Sequence, residues 1–217
     1  MSHVYVESRR PAGHLVWLVP MAMLLSACAG TPAPSGSHAA GAIAAEISDA
    51  ERRSFEAALA DMHEQRWARA HDRLEQLASA RPDLPGPRVN LAIVLRELGQ
   101  EPAAHQLLQQ LVQSHPAFAP GHHQLALLLR GRGEFAAADQ AYAGALMADA
   151  DYALAHYNRA VLNDLYLNRP AVALTHFQHY QHINGAEGGE VSRWIMDLQR
   201  RVDSGSAQQV ADNRGGS

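Results

Sequence analysis

Three histidines on one expected helix form the most suggestive group of metal-ligating side chains in this 217-residue chain. His176, His179 and His182 follow one another at steps of three residues. Because each step turns an α-helix by about 300°, the outer two side chains point about 120° apart and the three cannot face one ion. A surface site of two histidines is the alternative, and solvated histidines are the interpretation we prefer. We therefore predict no metal site.

Other signatures of catalysis are missing from the sequence. It contains no glycine-rich phosphate loop, no zinc-protease helix motif and no Gly-x-Ser-x-Gly turn. All 18 cationic side chains are arginine, they are interspersed with 22 acidic residues, and the formal net charge is −4. No basic patch favours nucleic acid as a partner. We therefore predict no enzymatic activity, no cofactor and no binding of nucleic acid.

The single cysteine, Cys28, follows a segment with the order of an export signal. Two arginines precede an apolar run over 15–25, which is about half of the ~20 residues that a membrane-spanning helix needs. The run closes on Leu25-Ser26-Ala27-Cys28. This closing sequence resembles the bacterial lipobox, whose cysteine is acylated. The resemblance implies a signal peptide over 1–27 and a palmitate-type lipid on Cys28. Because Ala29 follows the cysteine, it also implies the periplasmic face of the outer membrane.

Two segments lack the large apolar residues that a core requires. Residues 28–46 are rich in Gly, Pro, Ser and Ala, which predicts a lipidated N-terminus followed by a flexible linker. Residues 204–217 end in Asn-Arg-Gly-Gly-Ser and are expected to form a disordered tail. One folded region is therefore expected between them.

A repeat with a period of about 34 residues organises that region. Pro82 and Pro116 are separated by one period, and each closes an apolar helical stretch. The same period relates Leu91-Ala92 to Leu125-Ala126, Ala104 to Ala138, and Gly99 to Gly133. In the fourth copy, a one-residue insertion falls in the turn before Pro170. Helices are expected at about 47–64, 67–80, 86–98, 102–114, 120–131, 134–148, 152–167 and 170–183.

This pattern resembles the tetratricopeptide repeat, in which small residues let two helices pack closely. The resemblance implies an all-α fold, a right-handed solenoid of about four helical hairpins over 47–184. The repeats are expected at about 51–84, 85–118, 119–152 and 153–184. A further helix over 185–203 carries apolar residues at spacings of three and four, among them Trp194 and Leu198. We predict that it caps the last hairpin, whose apolar groove would otherwise face water.

The first helices of the hairpins offer a candidate binding surface, because positions one period apart fall side by side in a stack of repeats. Amide side chains can donate and accept hydrogen bonds, and arginine pairs with carboxylates. The expected partner-binding groove consists of Asn90, Arg96, Gln124, Arg130, Asn158, Tyr157 and His123. The alternative is that asparagine is simply common at this repeat position and that the arginines pair with local acids such as Glu97. The groove would suit an extended, acidic peptide segment.

The preferred function is a lipid-anchored periplasmic scaffold that binds a protein partner in an envelope assembly. Lipoproteins of this type resemble factors for pilus or secretion biogenesis and accessory proteins of energy-transducing complexes of the TonB, Tol or gliding type. One alternative is a regulator that docks a peptidoglycan hydrolase or synthase. A metal-binding periplasmic enzyme is a third interpretation and would need a converging cluster of ligands that the sequence does not show.

Overall fold

The computed structural model describes residues 47–185 and 188–215, and it describes side chains as far as residue 205. The signal peptide, Cys28 and linker expected in residues 1–46 lie outside this part of the chain. All regular structure within these described ranges is α-helical. The helices are α1 (Asp49–His63), α2 (Trp67–Ala80), α3 (Pro85–Glu97), α4 (Glu101–Ser114), α5 (Ala119–Gly131), α6 (Phe135–Ala148), α7 (Ala153–Leu165), α8 (Pro170–Asn184) and α9 (Glu190–Gly215). The first eight begin and end within about two residues of the bounds expected from the repeat.

The chain divides into two compact units, residues 1–101 and residues 102–217. In the first unit, α1 and α2 form a hairpin and α3 packs on α2. The hairpin closes over apolar side chains that are buried on both helices. They are Phe55, Ala58, Met62, Ala70, Leu74 and Leu77. Such burial contributes about 1.5–3 kcal/mol for each large side chain and is the main stabilising term of this hairpin.

Charged side chains hold the two ends of the α1–α2 hairpin. Ser48 caps α1 reciprocally with Glu51, which also accepts a hydrogen bond from Arg81 at 3.0 Å. The hydrogen bonds from Ser48, and to a smaller extent the one from Arg81, lower the pKa of the Glu51 carboxyl to about 2. At the other end, the buried Asp61 accepts from Nε of Arg66 at 2.7 Å and from Nε of Arg73 at 2.9 Å. These bonds satisfy a carboxylate that would be costly to bury alone.

The second unit is built on small residues where its helices meet. Hairpins form from α5 with α6 and from α7 with α8, and α6 packs on α7. Four alanines at the helix contacts are fully buried, namely Ala126, Ala138, Ala160 and Ala173. Gly144 allows a similarly close approach, since a Cβ there would lie 2.6 Å from Nδ1 of His122. The small residues of the repeat therefore have the packing role that the sequence pattern predicts.

The turns inside the hairpins confirm the inserted residue of the fourth copy. A left-handed residue follows the first helix of each hairpin: Gln65, Gly99, Gly133 and Asn168. In the third copy the backbone N–H of Glu134 bonds to the carbonyl of Leu129, five residues back. In the fourth, the N–H of Arg169 reaches the carbonyl of Asn163, six residues back. The extra residue is thus absorbed in the turn, and α8 keeps its packing on α7.

The last helix packs as expected but is longer. Leu198 is buried on α8, and the other apolar residues of α9 that pack there are Val191, Trp194, Ile195 and Val202. The sequence predicts a disordered tail from residue 204, whereas α9 continues to Gly215. The physical reason is that residues 204–215 contain no proline and include alanine and glutamine, which favour helix. No helix in the described residues is long and apolar enough to cross a membrane.

Candidate partner-binding surface

Three of the residues expected to bind a partner form one hydrogen-bonded cluster in the second unit. Nδ2 of Asn158 on α7 donates to Nε2 of His123 on α5 at 3.1 Å. Nη1 of Arg130, also on α5, lies 3.4 Å from Oδ1 of Asn158. Residues 28 and 35 positions apart in the chain are therefore in contact. We call His123, Arg130 and Asn158 the α5–α7 cluster.

The α5–α7 cluster rests on aromatic rings. His123 is buried, with its ring centroid 5.8 Å from that of Tyr142 and 5.5 Å from that of Tyr152. Burial raises the pKa of Tyr142 to about 12, so its hydroxyl is neutral at physiological pH. Because His123 accepts through Nε2, its neutral ring carries the proton on Nδ1. The base of the cluster is therefore buried and uncharged.

Arg130 differs from the other arginines of this unit that lie between helices. Arg159 and Arg201 each donate to a carboxylate, Asp139 and Asp164 respectively. The half-buried Arg130 forms no ion pair within the described residues, and its contact with Asn158 is long for a hydrogen bond. It therefore keeps donors for a carboxylate that the described residues do not supply.

Two other expected groove residues of this unit lie elsewhere. Gln124 is 8% exposed and belongs to the packed interior. Tyr157 contacts Trp194 of α9 with ring centroids 6.1 Å apart, and it also contacts Phe177 at 5.9 Å. The structure corrects the expectation that Tyr157 lines an open groove. The reason is that α9 packs over the aromatic face of the last hairpin.

In the first unit, the expected groove residues are Asn90 and Arg96. Asn90 is fully buried, and its Nδ2 donates to the carbonyl of Gly86 at 2.9 Å, so it is a structural residue rather than a surface contact. Asn158 makes the same bond to the carbonyl of Leu154. Arg96 is about a third exposed and lies 3.6 Å from Glu97, as the alternative interpretation expects. Arg96 thus already has an acidic neighbour, which Arg130 lacks.

Residues 61–129 match the family model of the tetratricopeptide repeat. They run from the last turn of α1 into the last turn of α5. The described fold is a tetratricopeptide-repeat fold. A comparison with curated proteins gave no match.

Solved structures agree with this assignment. A tetratricopeptide-repeat protein of Thermus thermophilus, TTC0263, has a TM-score of 0.56 and 18% identity, over 70% of this chain and 82% of that one. MamA of Desulfovibrio magneticus has a TM-score of 0.52 and 18% identity, over 64% of this chain and 78% of that one. YrrB is described as a tetratricopeptide-repeat protein with an unusual peptide-binding site. It has a TM-score of 0.52 and 20% identity, over 70% of this chain and 75% of that one. The all-α tetratricopeptide-repeat fold is therefore confirmed.

A charged network that the repeat pattern does not reveal joins α6, α7 and the turn after α7. Asp139 accepts from Nε of Arg159 at 2.7 Å and from Nδ2 of the buried Asn163 at 3.0 Å, and Arg169 lies 3.5 Å away. Burial raises the pKa of Asp139, but the hydrogen bonds and positive charges outweigh it and the pKa is lowered. Arg159 occupies the repeat position of Leu91 and Leu125, so its charge needs this partner.

The histidines of α8 meet another histidine that lies twenty residues earlier. Nδ1 of His156 on α7 is 3.0 Å from Nδ1 of His176, and the ring of His179 stacks on that of His156 at 4.9 Å. Within the described part of the chain, no group of three or more ligating side chains is arranged to hold a metal ion. The contact between His156 and His176 is at hydrogen-bond distance. The spacing of the three histidines on α8 could not reveal this contact, because His156 lies on α7.

Proposed function

We propose that this protein is a scaffold that binds an extended, acidic segment of another protein at the α5–α7 cluster. The observation that carries the proposal is Arg130, a half-buried guanidinium with no acidic partner within the described residues. A guanidinium held on a helix and partly desolvated binds a carboxylate more strongly than one in open solvent. An acidic side chain or a chain terminus of the partner supplies that carboxylate.

Asn158 gives the cluster its second role. Its Nδ2 is engaged by His123 and by the carbonyl of Leu154, which fixes the amide plane. Oδ1 then faces Arg130 at 3.4 Å and can accept from a backbone N–H of the bound segment. An arginine and a fixed amide oxygen are complementary to the carboxylate and N–H groups of an extended acidic peptide. The description of YrrB as a protein of this fold with a peptide-binding site supports this use of the cluster.

Arg130→Ala should weaken binding of an acidic peptide by about ten- to a hundredfold, the range for one charge-assisted contact. The peptide is selected from a displayed random library on the wild-type protein, and affinities are measured by titration calorimetry. Arg132→Ala is the matched control, because Arg132 lies two residues away and pairs with Glu134 at 2.8 Å. The control should bind as the wild type does.

Equal affinities of the wild type and Arg130→Ala would contradict the proposal, as would selected peptides without acidic residues. Circular dichroism of both variants checks that the helices remain. Arg130 is only half-buried and its contact with Asn158 is long, so its removal should leave the fold intact.

We also propose that the scaffold is anchored by a lipid on Cys28 at the periplasmic face of the outer membrane. The support is the lipobox-like closing sequence after a short apolar run. Anchoring raises the local concentration of the scaffold beside membrane-associated partners. Its partner would then belong to an envelope assembly, such as a pilus or secretion system or an energy-transducing complex of the TonB, Tol or gliding type.

Cys28→Ser should abolish metabolic labelling with palmitate and release the protein from the membrane fraction, because it removes the acylated thiol. The measurement is fractionation and labelling of cells that express the wild type or the variant. A wild-type protein that never incorporates palmitate would contradict the anchoring proposal. This result would leave the Arg130 proposal unaffected.

A further inference from the structure

A pair of ring nitrogens joins α7 to α8 in the second unit. His156 is 5% exposed, and its Nε2 lies 2.9 Å from the carbonyl oxygen of Ala150, at the turn before α7. A carbonyl only accepts, so Nε2 of His156 carries the proton and Nδ1 is left as an acceptor. Nδ1 of His176, 3.0 Å away, must then be the donor. The contact needs one hydrogen between the two facing Nδ1 atoms, so it is retained when both rings are neutral or when one is protonated, and it is lost when both are protonated.

A second proton cannot be accommodated in this arrangement. With both rings protonated, two N–H groups and two positive charges would face each other at 3.0 Å. The stacked ring of His179 and the guanidinium of Arg159 add further unfavourable charge. Asp139 and Asp151 oppose this effect, but Asp139 is already paired with Arg159 and Arg169. Burial, the first cause, lowers the pKa of both rings, that of His176 to about 4.

The same helix contacts α9 on another face. Consecutive residues of a helix point about 100° apart, so Phe177 lies on a different side of α8 from His176. Phe177 contacts Trp194 of α9 with ring centroids 5.4 Å apart. Tyr157, next to His156 in the chain, contacts both Phe177 and Tyr180. Movement of α8 away from α7 would therefore disturb the aromatic surface that supports α9.

We propose that the His156–His176 contact is a proton-sensitive joint, which holds α7 to α8 at neutral pH and opens in acid, loosening the attachment of α9. The folded state binds these protons more weakly than the unfolded state. The stabilisation is complete above the unfolded histidine pKa of about 6.5 and is lost as the pH falls toward 4. The opening would expose the aromatic cluster of Tyr157, Phe177 and Trp194 under acidic conditions.

The test compares the full-length wild type with His176→Asn, whose amide nitrogen can replace Nδ1 as a donor but does not titrate. Urea unfolding is followed by circular dichroism at pH 7.5 and pH 5. In the wild type, the histidine joint should raise the unfolding equilibrium constant about ten- to thirtyfold between these pH values, in addition to the effect of other groups. His176→Asn should lose this increment.

His182→Asn is the matched control, with the same substitution on the exposed side of α8. It should keep the pH dependence of the wild type. The proposal is overturned if His176→Asn retains the wild-type dependence, or if both substitutions reduce it equally. Hydrogen exchange of α9 amides, corrected for intrinsic rates, should show protection that decreases between pH 7.5 and pH 5 in the wild type but not in His176→Asn. Unchanged protection of α9 would overturn its link to the joint.

A measurement on the wild type keeps the proposal testable if His176→Asn fails to fold. Long-range proton–nitrogen correlation spectra at pH 7.5 report which ring nitrogen carries hydrogen. We expect Nε2–H for His156 and Nδ1–H for His176. Observation of the opposite tautomer in either ring, or of a doubly protonated His176 at pH 6, would overturn the proposal.

Discussion

Asp139→Ala should lower the free energy of unfolding by about 3 kcal/mol, within the usual range for breaking a buried ion pair. The loss arises because Arg159 would lose its carboxylate partner and the fully buried amide of Asn163 would lose one of its two acceptors. A positive charge would then remain between α6 and α7, where earlier repeats have leucine. Urea denaturation followed by circular dichroism measures the effect.

Asp197→Ala provides the control for Asp139→Ala. Asp197 pairs with Arg200 on the same helix at 2.9 Å, and both side chains are more than half exposed. Such a pair contributes about 0–1 kcal/mol. If both substitutions lower the free energy of unfolding by the same amount, the Asp139 network does not stabilise the fold as its geometry indicates.

Phe177→Ala should cost about 3–5 kcal/mol, the range for removing a buried aromatic side chain. Phe177 is 2% exposed and contacts both Tyr157 of α7 and Trp194 of α9. The cavity would therefore weaken the last hairpin and the capping helix together. Thermal and urea unfolding of the variant provide the measurement.

Phe135→Ala removes the same ring from a more exposed place, where Phe135 contacts the half-exposed Tyr166 in a tilted arrangement with centroids 4.6 Å apart. We expect a clearly smaller loss there, because little of the cavity would be closed to water. Comparable losses at residues 135 and 177 would contradict the assignment of the core to the α7–α8–α9 contact.

The helices could be predicted from the sequence because the repeat places the same kinds of residue at the same positions. The alanines that recur once in every period are the ones that lie buried between helices, as Ala126 and Ala160 show. The inserted residue was visible from the spacing of the fourth copy. The length of α9 was not, because weakly polar residues such as those after 203 are compatible with both helix and coil.

The candidate site could be predicted only in part. The repeat placed His123, Arg130 and Asn158 near one another, and the structure brings them into contact. The repeat could not show which residues are covered by a helix outside the repeats, and α9 covers Tyr157. The repeat period relates only residues at the same position of successive repeats. It therefore does not reveal contacts between residues at different repeat positions.

Two such hidden contacts join titratable side chains of the second unit. Arg159 pairs with Asp139, which lies twenty residues earlier in the preceding hairpin. His176 meets His156, again twenty residues earlier. Neither pair is related by the repeat period. Side-chain geometry was needed to identify the charged network and the histidine joint.

The most direct test of the binding site is to map a selected acidic peptide on the isotope-labelled protein by NMR. The largest chemical-shift changes should fall on α5 and α7, with the side chains of Arg130 and Asn158 among them. The exposed face of α9, which carries Arg193 and Met196, should change little. Changes concentrated on α9 with none at the α5–α7 cluster would contradict the proposed binding surface.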